Sequence, residues 1–310
     1  MLRVRSWRRW KTREPGPLPE LPRLPYVRLR VTLRAEERAS VPAYHGSMLR
    51  GAFGHALRRT VCVMGPAQPC ATCSLRPACV YPRLFETFLD GSPPPFLRGL
   101  TRGPCPYVFE PLGTEGTLAP GDSLAFDLLL IGQAVDLQGY AALALERMAR
   151  GGLRAGRGRF RLERVETIGP SLPPLDGLPP GPLTLRFVTP LRLKVRDHLV
   201  AQPGFRDLVF AMLRRTLELA QLHVPGARVE WELRPWLERA EAVRVARADL
   251  RWHDWERYSH RQQSRMKLGG VMGTLVLEGD LAPFAPLLRA AEVVHVGKGA
   301  TFGLGKVELG

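Results

Sequence analysis

The stretch that decides the fold is His295-Val296-Gly297-Lys298-Gly299-Ala300-Thr301-Phe302-Gly303-Leu304-Gly305-Lys306. An apolar segment with helical spacing precedes it, and a short strand is predicted after it. Its four glycines free the backbone for positive φ and for close approach to a ligand. Successive N–H groups in such a loop can bind an anion, and Lys298 and Lys306 add positive charge beside it. A tight helix-to-strand turn without a ligand is the alternative interpretation.

A second helix, basic glycine-rich loop and strand lie one half-chain earlier. This loop reads Gly151-Gly152-Leu153-Arg154-Ala155-Gly156-Arg157-Gly158-Arg159. Neither loop fits a nucleotide fingerprint, because a Walker loop follows a strand and precedes a helix, whereas these glycines follow a helix. A duplicated domain with two such loops indicates a long polyanion as the ligand.

Composition agrees with a polyanionic partner. The chain has 310 residues, enough for two domains, and a formal net charge of +16. Of its 45 basic residues five are lysine and 40 are arginine, the side chain best suited to phosphate forks and base stacking. No apolar run approaches the ~20 residues needed to span a bilayer. The basic N-terminus lacks the apolar region of a signal peptide, so we expect a cytoplasmic protein with no membrane partner.

The order of predicted elements is β-α-β-β-α-β in each half. That order is typical of the ferredoxin-like unit, an antiparallel four-stranded sheet covered by two helices. The sequence therefore predicts an α+β protein of two tandem ferredoxin-like domains with a cysteine-rich insertion in the first. The predicted divisions are a basic, proline-rich lead-in at 1–25, a first domain at 26–168 with the insertion at 62–105, a linker at 169–182, and a second domain at 183–310.

The insertion carries four cysteines, Cys62, Cys70, Cys73 and Cys79, in the spacing C-x7-C-x2-C-x5-C. Thiolates are soft ligands, and a C-x2-C pair can reach one metal ion from a single turn. We predict a structural zinc site. An iron–sulfur cluster is the chemical alternative, and disulfides are disfavoured in a cytosolic chain.

Four segments together resemble a known family. They are the run Gly46–Arg59, the cysteines up to Cys79-Val80-Tyr81-Pro82, the cluster Arg257–Gln262, and the terminal glycine-rich loop. They resemble the CRISPR precursor-RNA processing endoribonucleases of the RAMP superfamily, in the branch with a cysteine-rich insertion after the first helix. The resemblance runs from about residue 27 to the C-terminus and implies two RRM-like (ferredoxin-like) domains.

The resemblance also implies the reaction. A 2′-hydroxyl of the CRISPR repeat attacks the adjacent phosphate without a catalytic metal, leaving a 2′,3′-cyclic phosphate and a 5′-hydroxyl, and the enzyme stays on its product. Histidine suits the proton transfers, because its pKa lies near working pH. His45 and His55 bracket the first predicted helix, where this superfamily commonly keeps its catalytic histidine. His55 shares a helix side with Gly51 and Gly54, which favours it. Tyr258 and Lys298 complete the catalytic candidates.

The predicted RNA-binding residues are basic, polar or glycine residues of the first helix, the two loops and the polar cluster. They are Arg50, Arg58, Arg154, Arg157, Arg159, Arg257, His260, Arg261, Gln262, His295, Gly297, Gly299, Gly303, Gly305 and Lys306. The predicted partner is CRISPR repeat RNA, with other effector-complex subunits as further candidates. Two other functions stay open from the residues: a non-catalytic guide-RNA-binding subunit of an effector complex, and a zinc-containing DNA-binding protein.

Overall fold

The computed structural model describes residues 18–65, 67–113, 115–153, 158–171, 177–178, 181–254, 256–259, 264–267 and 269–310. Strands of the first half are β1 Tyr26–Ala35, β2 Ala39–Val41, β3 Tyr107–Leu112, β4 Gly116–Leu118, β5 Ser123–Ile131 and β6 Phe160–Ser171. Its helices are α1 Gly46–Val61 and α2 Gln138–Gly151. Strands of the second half are β7 Leu183–Leu191, β8 Lys194–Val195, β9 His198–Leu199, β10 Arg244–His253, β11 Glu256–Ser259, β12 Ser264–Lys267, β13 Gly270–Glu278 and β14 Val307–Leu309. Its helices are α3 Phe205–His223, α4 Arg234–Glu241 and α5 Ala285–Val294.

Each half forms its own four-stranded sheet, and the two sheets have the same topology. The first sheet has the order β3-β5-β1-β6 and the second has the order β10-β13-β7-β14, with every pair antiparallel. In each half the strands stand in the spatial order second, third, first, fourth. This is the order expected when two β-α-β units interlock, so the predicted pair of ferredoxin-like domains is confirmed.

The alternation of residues in β1 explains how the first domain builds its core. Val27, Leu29, Val31 and Leu33 are buried, while the intervening residues are partly exposed. Period-two alternation places these four side chains on one face of the sheet. They share a core with residues of α1 and α2, among them Leu49, Phe53, Leu57, Ala144, Leu145 and Met148.

Strand β5 is buried on both faces, because the two domains pack against each other there. Its run Leu128-Leu129-Leu130-Ile131 is fully buried, whereas an antiparallel strand with one solvated face would alternate buried and exposed residues. A separate apolar cluster joins Leu24, Val108, Leu129 and Ile131 of the first domain to Leu219, Ala220, Val293 and Val294 of the second.

Several short elements were not predicted from the sequence. They are the strand pairs β2–β4, β8–β9 and β11–β12 and the helix α4. Ladders of two to four residues are too short to show a period, and α4 begins with a proline at its first turn. Strand β6 continues to Ser171, three residues into the predicted linker. No helix of the described residues is long and apolar enough to cross a membrane.

Candidate functional site

The glycine-rich loop joins α5 to β14 and lies between the two domains. A Cβ added to Gly303 would stand 2.3 Å from the carbonyl oxygen of Phe109, and one added to Gly46 at the start of α1 would stand 1.9 Å from that of Phe302. The Tyr44 hydroxyl donates to the same Phe302 carbonyl at 2.8 Å. The absence of side chains therefore lets the loop backbone lie directly against the first domain.

Two other glycines of the loop are close to the protein's own backbone. A Cβ on Gly297 would lie 2.6 Å from the Arg192 carbonyl, and one on Gly305 would lie 1.8 Å from the Val296 carbonyl. Both glycines have positive φ, at 83° and 69°. The sequence indicated close approach to a ligand, whereas at these positions the close approach is intramolecular.

His295 is fully buried at the head of the loop and links it to the first domain. Its Nε2 lies 2.9 Å from Glu110 Oε1, and its Nδ1 lies 3.2 Å from the carbonyl oxygen of Leu304. Both ring nitrogens face acceptors, so the ring makes both hydrogen bonds only as the imidazolium.

Glu110 is the centre of a buried ionic network. Besides His295, it accepts from Arg28 Nη1 at 2.6 Å and from Lys306 Nζ at 3.0 Å. Burial alone would raise the pKa of Glu110, but the hydrogen bond and charge of His295 and the charges of Arg28 and Lys306 outweigh it and hold the pKa far below its usual range. Asp127 continues the network through Arg28.

This network changes the role of several predicted RNA-binding residues. His295, Gly303 and Gly305 are buried, and Lys306 is paired with Glu110. In this conformation the first three cannot touch RNA; they fix the loop to the first domain. Glu110 and Arg28 were not predicted. The signal that could have found Glu110 is a carboxylate inside an otherwise apolar strand.

Lys298 is the exposed cation of the loop. Its backbone N–H donates to the Arg192 carbonyl at 2.9 Å, which fixes its position beside β7. Desolvation, followed by the positive charges of Lys194 and Arg192, lowers the pKa of Lys298. Three cations so close together, in reach of solvent, form a surface suited to a phosphate.

His45 stands at the start of α1, next to this loop. Its Nδ1 lies 3.2 Å from the Pro42 carbonyl oxygen, so that nitrogen carries the proton. Its Nε2 is buried without a hydrogen-bond partner among the described residues. Burial lowers the pKa of His45, although the Pro42 hydrogen bond and Glu115 oppose the shift. The ring is therefore a neutral imidazole with a free lone pair at Nε2.

His55 has a different environment from the one that the sequence suggested. It is exposed on α1, about ten residues after His45. The neighbouring Gly54 leaves room for the ring of Phe85, since an added Cβ would lie 2.1 Å from Phe85 Cζ. Gly54 therefore serves internal packing, whereas a Cβ added to Gly51 would meet nothing within 4 Å. The part of the argument for His55 that used Gly54 is lost, and His55 stays a candidate.

Arg50 lies between the loop and the cysteine-rich insertion. Its guanidinium carbon stands 4.6 Å from the centre of the Phe85 ring and 5.4 Å from that of Phe302. Its Nε donates to the Tyr107 hydroxyl at 3.2 Å. No carboxylate pairs with Arg50 in the part of the chain that the structure describes.

The four clustered cysteines line one small cavity at the end of α1. Arg76 and Tyr81 line the same cavity, whereas Cys105 lies apart with its thiol on the Phe85 carbonyl oxygen at 3.1 Å. As the side chains stand, no three His, Cys, Asp or Glu residues of the described ranges are arranged to hold a metal ion. The cavity brings together the ligand set of a structural zinc site, and the zinc assignment stays a prediction.

Some predicted residues have other contacts or lie outside the described residues. Arg58 donates to the Gln68 carbonyl at 2.6 Å, and Arg159 lies 3.1 Å from Glu37. Residues outside the described ranges are Arg154, Arg157, His260, Arg261 and Gln262. Arg257 and Tyr258 belong to the described backbone of β11. Gly299 has a φ of 84° and starts the turn Ala300–Phe302.

Each half of the chain matches a different family model. Residues 185–307 match the family described as CRISPR-associated endoribonuclease Cas6. Residues 24–173 match a family described as an N-terminal domain, AF_1859_N. No curated protein sequence matches the chain significantly.

Solved structures share the whole fold. A Cas6 (TTHB231) product complex is 18% identical with a TM-score of 0.56, over 93% of this chain and 100% of its own. Thermus thermophilus Cas6 (TTHB231) is 18% identical with a TM-score of 0.53, over 93% and 98%. A chain of a partial Cas6-RT-Cas1–Cas2 complex is 15% identical with a TM-score of 0.54, over 94% of this chain and 47% of its own. At such identities the likeness establishes the fold.

Proposed function

We propose that this chain, whose residues 185–307 form a domain of the Cas6 endoribonuclease family, cleaves precursor CRISPR RNA within the repeat. The family domain supports an RNA-cleaving enzyme, and the net charge of +16 suits a polyanionic substrate. The proposed reaction is attack of a 2′-hydroxyl on the adjacent phosphate without a catalytic metal. Its products are a 2′,3′-cyclic phosphate and a 5′-hydroxyl, and the enzyme stays on the product.

The observation that carries the mechanism is the free Nε2 of His45. A general base needs an unprotonated nitrogen that is fixed in direction, and the Nδ1–H bond to the Pro42 carbonyl provides both the tautomer and the orientation. A lowered pKa keeps the ring neutral at pH 7, ready to accept the 2′ proton. His45 is only 2% exposed, so RNA binding must uncover the ring.

We assign charge stabilisation to the cations of the glycine-rich loop and of the segment after β7. Lys298 is exposed next to Arg192 and Lys194, where a phosphate would be held by several positive charges. The leaving 5′ oxygen needs a proton, and Lys298 has a lowered pKa that suits this role. Tyr258 stays a further candidate acid. We also propose a cytoplasmic location and association with other Cas proteins.

A second function is a guide-RNA-binding subunit without catalysis. The burial of His45 favours it, because a base that never meets substrate is only a structural histidine. The two functions differ in whether the chain cleaves repeat RNA at all.

The test compares His45→Ala with His55→Ala in single-turnover cleavage of repeat RNA in buffer without added divalent metal ions, using the repeat of the array beside the gene. Loss of a general base should slow cleavage by about 10²–10⁴-fold in His45→Ala, with little change in RNA affinity. His55→Ala is the matched control on the same helix and should cleave close to the wild-type rate. Melting curves of both variants separate lost chemistry from lost folding.

Wild-type rates in both variants would assign the base elsewhere, with Tyr258, His260 and Lys298 next. A wild-type chain that binds the repeat tightly and never cleaves it would establish the non-catalytic function.

A further inference from the structure

The insertion after α1 has almost no core of its own. Val63, Met64, Leu75 and Leu100 are exposed, and Val63 has 81% of its surface accessible. Between Cys62 and Phe88 the described residues contain a 3-10 turn at Cys70–Thr72 and a five-residue π-helix at Pro82–Glu86. Apolar burial is too small here to hold the segment in one conformation, so it needs a cross-link.

The backbone already brings the four thiols together. The Cys73 N–H bonds to the Cys70 carbonyl, the Arg76 N–H to the Cys73 carbonyl, and the Cys79 N–H to the Arg76 carbonyl. These turns place three sulfurs around the cavity that Cys62 closes from the end of α1.

Basic groups surround the same cavity. Arg76 lines it, and Arg58 donates to the Gln68 carbonyl at its rim while lying 5.8 Å from the centre of the Tyr81 ring. Four thiolates around a divalent ion leave a net charge of about −2, which two guanidinium groups can balance.

Stacked aromatic rings connect this cavity to the candidate active site. Tyr81 stacks on Phe85 with ring centres 5.4 Å apart, and Phe85 stacks on Tyr107 at 5.8 Å. Arg50 covers Phe85, bonds to Tyr107, and reaches Phe302 of the glycine-rich loop.

The insertion also contacts the second domain. Phe96 packs edge-on against Phe210 and Trp231, with ring centres 5.5 and 5.9 Å apart. Pro104 accepts from His223 Nε2 at 2.8 Å. The C-terminal part of the insertion is thus fastened to the second domain, whereas its N-terminal part, around the thiols, takes no part in these contacts.

We propose that Cys62, Cys70, Cys73 and Cys79 bind one zinc ion, and that this structural site positions Arg50 and Phe302 through the stacked rings of Tyr81, Phe85 and Tyr107. Zinc would supply the cross-link that the insertion lacks, because the free energy of metal binding at such sites stabilises the folded segment. The zinc site and its coupling to Arg50 stand without the proposed function. Only the predicted effect on RNA cleavage rests on it. An iron–sulfur cluster is the competing outcome, which its colour would reveal.

The first experiment measures metal content by elemental analysis. Wild type should carry about one zinc per chain, and Cys73→Ser should carry far less. Cys105→Ser is the matched control, because its thiol lies outside the cavity, and should keep the wild-type content. Cobalt substituted for zinc should show the absorption of a tetrahedral thiolate site. The proposed site is wrong if wild type carries no metal, or if Cys73→Ser keeps the wild-type metal content.

The second experiment tests the coupling by hydrogen exchange of the peptides around 81–88 and 299–303. Stripping zinc from wild type should speed exchange at least about tenfold in both peptides, and restoring zinc should reverse the change. Phe85→Leu should keep zinc yet show faster exchange at 299–303 only. If the exchange rate at 299–303 changes neither on zinc removal nor in Phe85→Leu, the coupling is wrong, although the metal site stands.

Neither readout needs catalysis, so failure of the proposed function is distinguishable from failure of the zinc site. If the chain cleaves RNA, zinc removal should lower the single-turnover rate with RNA affinity little changed, and Phe85→Leu should do the same. Equal loss of rate and affinity would indicate general unfolding.

Discussion

The interface between the two domains buries polar groups in two opposite ways. On the side of the glycine-rich loop, Glu110 accepts from three side chains, those of Arg28, His295 and Lys306. On the side of α3, His223 is buried and Arg215 is partly buried. The buried atoms Arg215 Nη2 and His223 Nδ1 have no hydrogen-bond partner within the described ranges.

The two sides also differ in what burial does to ionisation. Glu110 stays ionised because its partners outweigh the cost of desolvation. Across the interface, burial lowers the pKa of Arg215 to about 10 and that of His223 to about 4. A buried charge is therefore kept where partners surround it, and the neutral form gains where they do not.

Glu110→Gln should have the largest effect on stability. The amide is nearly isosteric, so the change removes the buried negative charge that His295, Arg28 and Lys306 contact. Breaking a buried ionic network from one side costs about 3–5 kcal/mol of the free energy of unfolding. Urea denaturation at pH 7 measures it.

Glu308→Gln is the matched control. Glu308 pairs with Arg186 on an exposed edge of the second sheet, where an ion pair contributes only about 0–1 kcal/mol. Equal losses in the two variants would show that burial of the Glu110 network contributes nothing.

Acid should weaken the other side of the interface next. The folded-state pKa of His223 is about 4, against 6.5 when unfolded, so between those values the unfolded chain binds a proton that the folded chain does not. Stability should therefore fall as the pH drops from 6.5 towards 4, by up to about 3 kcal/mol from this residue. His45, whose pKa burial also lowers, adds to the same trend.

Urea denaturation at several pH values would test this. His223→Gln keeps a donor for the Pro104 carbonyl and should show a flatter decline, while the exposed His55→Gln should keep the wild-type decline. An unchanged decline in His223→Gln would remove His223 as its source.

The sequence predicted the architecture because the architecture depends on local pattern. The alternation of apolar residues in Tyr26–Ala35 and their helical spacing in Gly46–Val61 can be recognised in the sequence. Both sheets followed from the repeated element order. The extra hairpin β11–β12 was missed, because its four-residue strands are polar and resemble a solvated loop.

The candidate site was only partly predictable, since its properties arise from contacts across the domain interface. His45 was a candidate, but its free Nε2 depends on Pro42 and on burial beside the second domain. Glu110 and His295 are 185 residues apart in sequence, and no local pattern relates them. Gly303 and Gly305 were predicted to contact RNA, whereas tertiary packing buries them.

The smallest effect is expected from Arg215→Met, and it sharpens the comparison most. Arg215 is partly buried, its Nε donates to the Val294 carbonyl, and desolvation lowers its pKa. Methionine removes that desolvation cost at the loss of one hydrogen bond, worth about 1 kcal/mol. Glu218 keeps Arg214 at 3.0 Å, so no carboxylate is stranded. We expect the free energy of unfolding to change by no more than about 1 kcal/mol in either direction.

Arg28→Met is the matched change on the paired side. It removes a cation that both Glu110 and Asp127 contact, at 2.6 and 2.9 Å, and both carboxylates are buried. Glu110 keeps His295 and Lys306, and Asp127 keeps Arg30, so neither carboxylate is stranded. The loss should therefore stay below the about 3–5 kcal/mol of a broken buried pair but exceed that of Arg215→Met, measured by the same urea titration. If Arg28→Met and Arg215→Met cost the same, pairing does not set the energetics of this interface. A large loss in Arg215→Met alone would mean that the bond to Val294 holds α3 against α5.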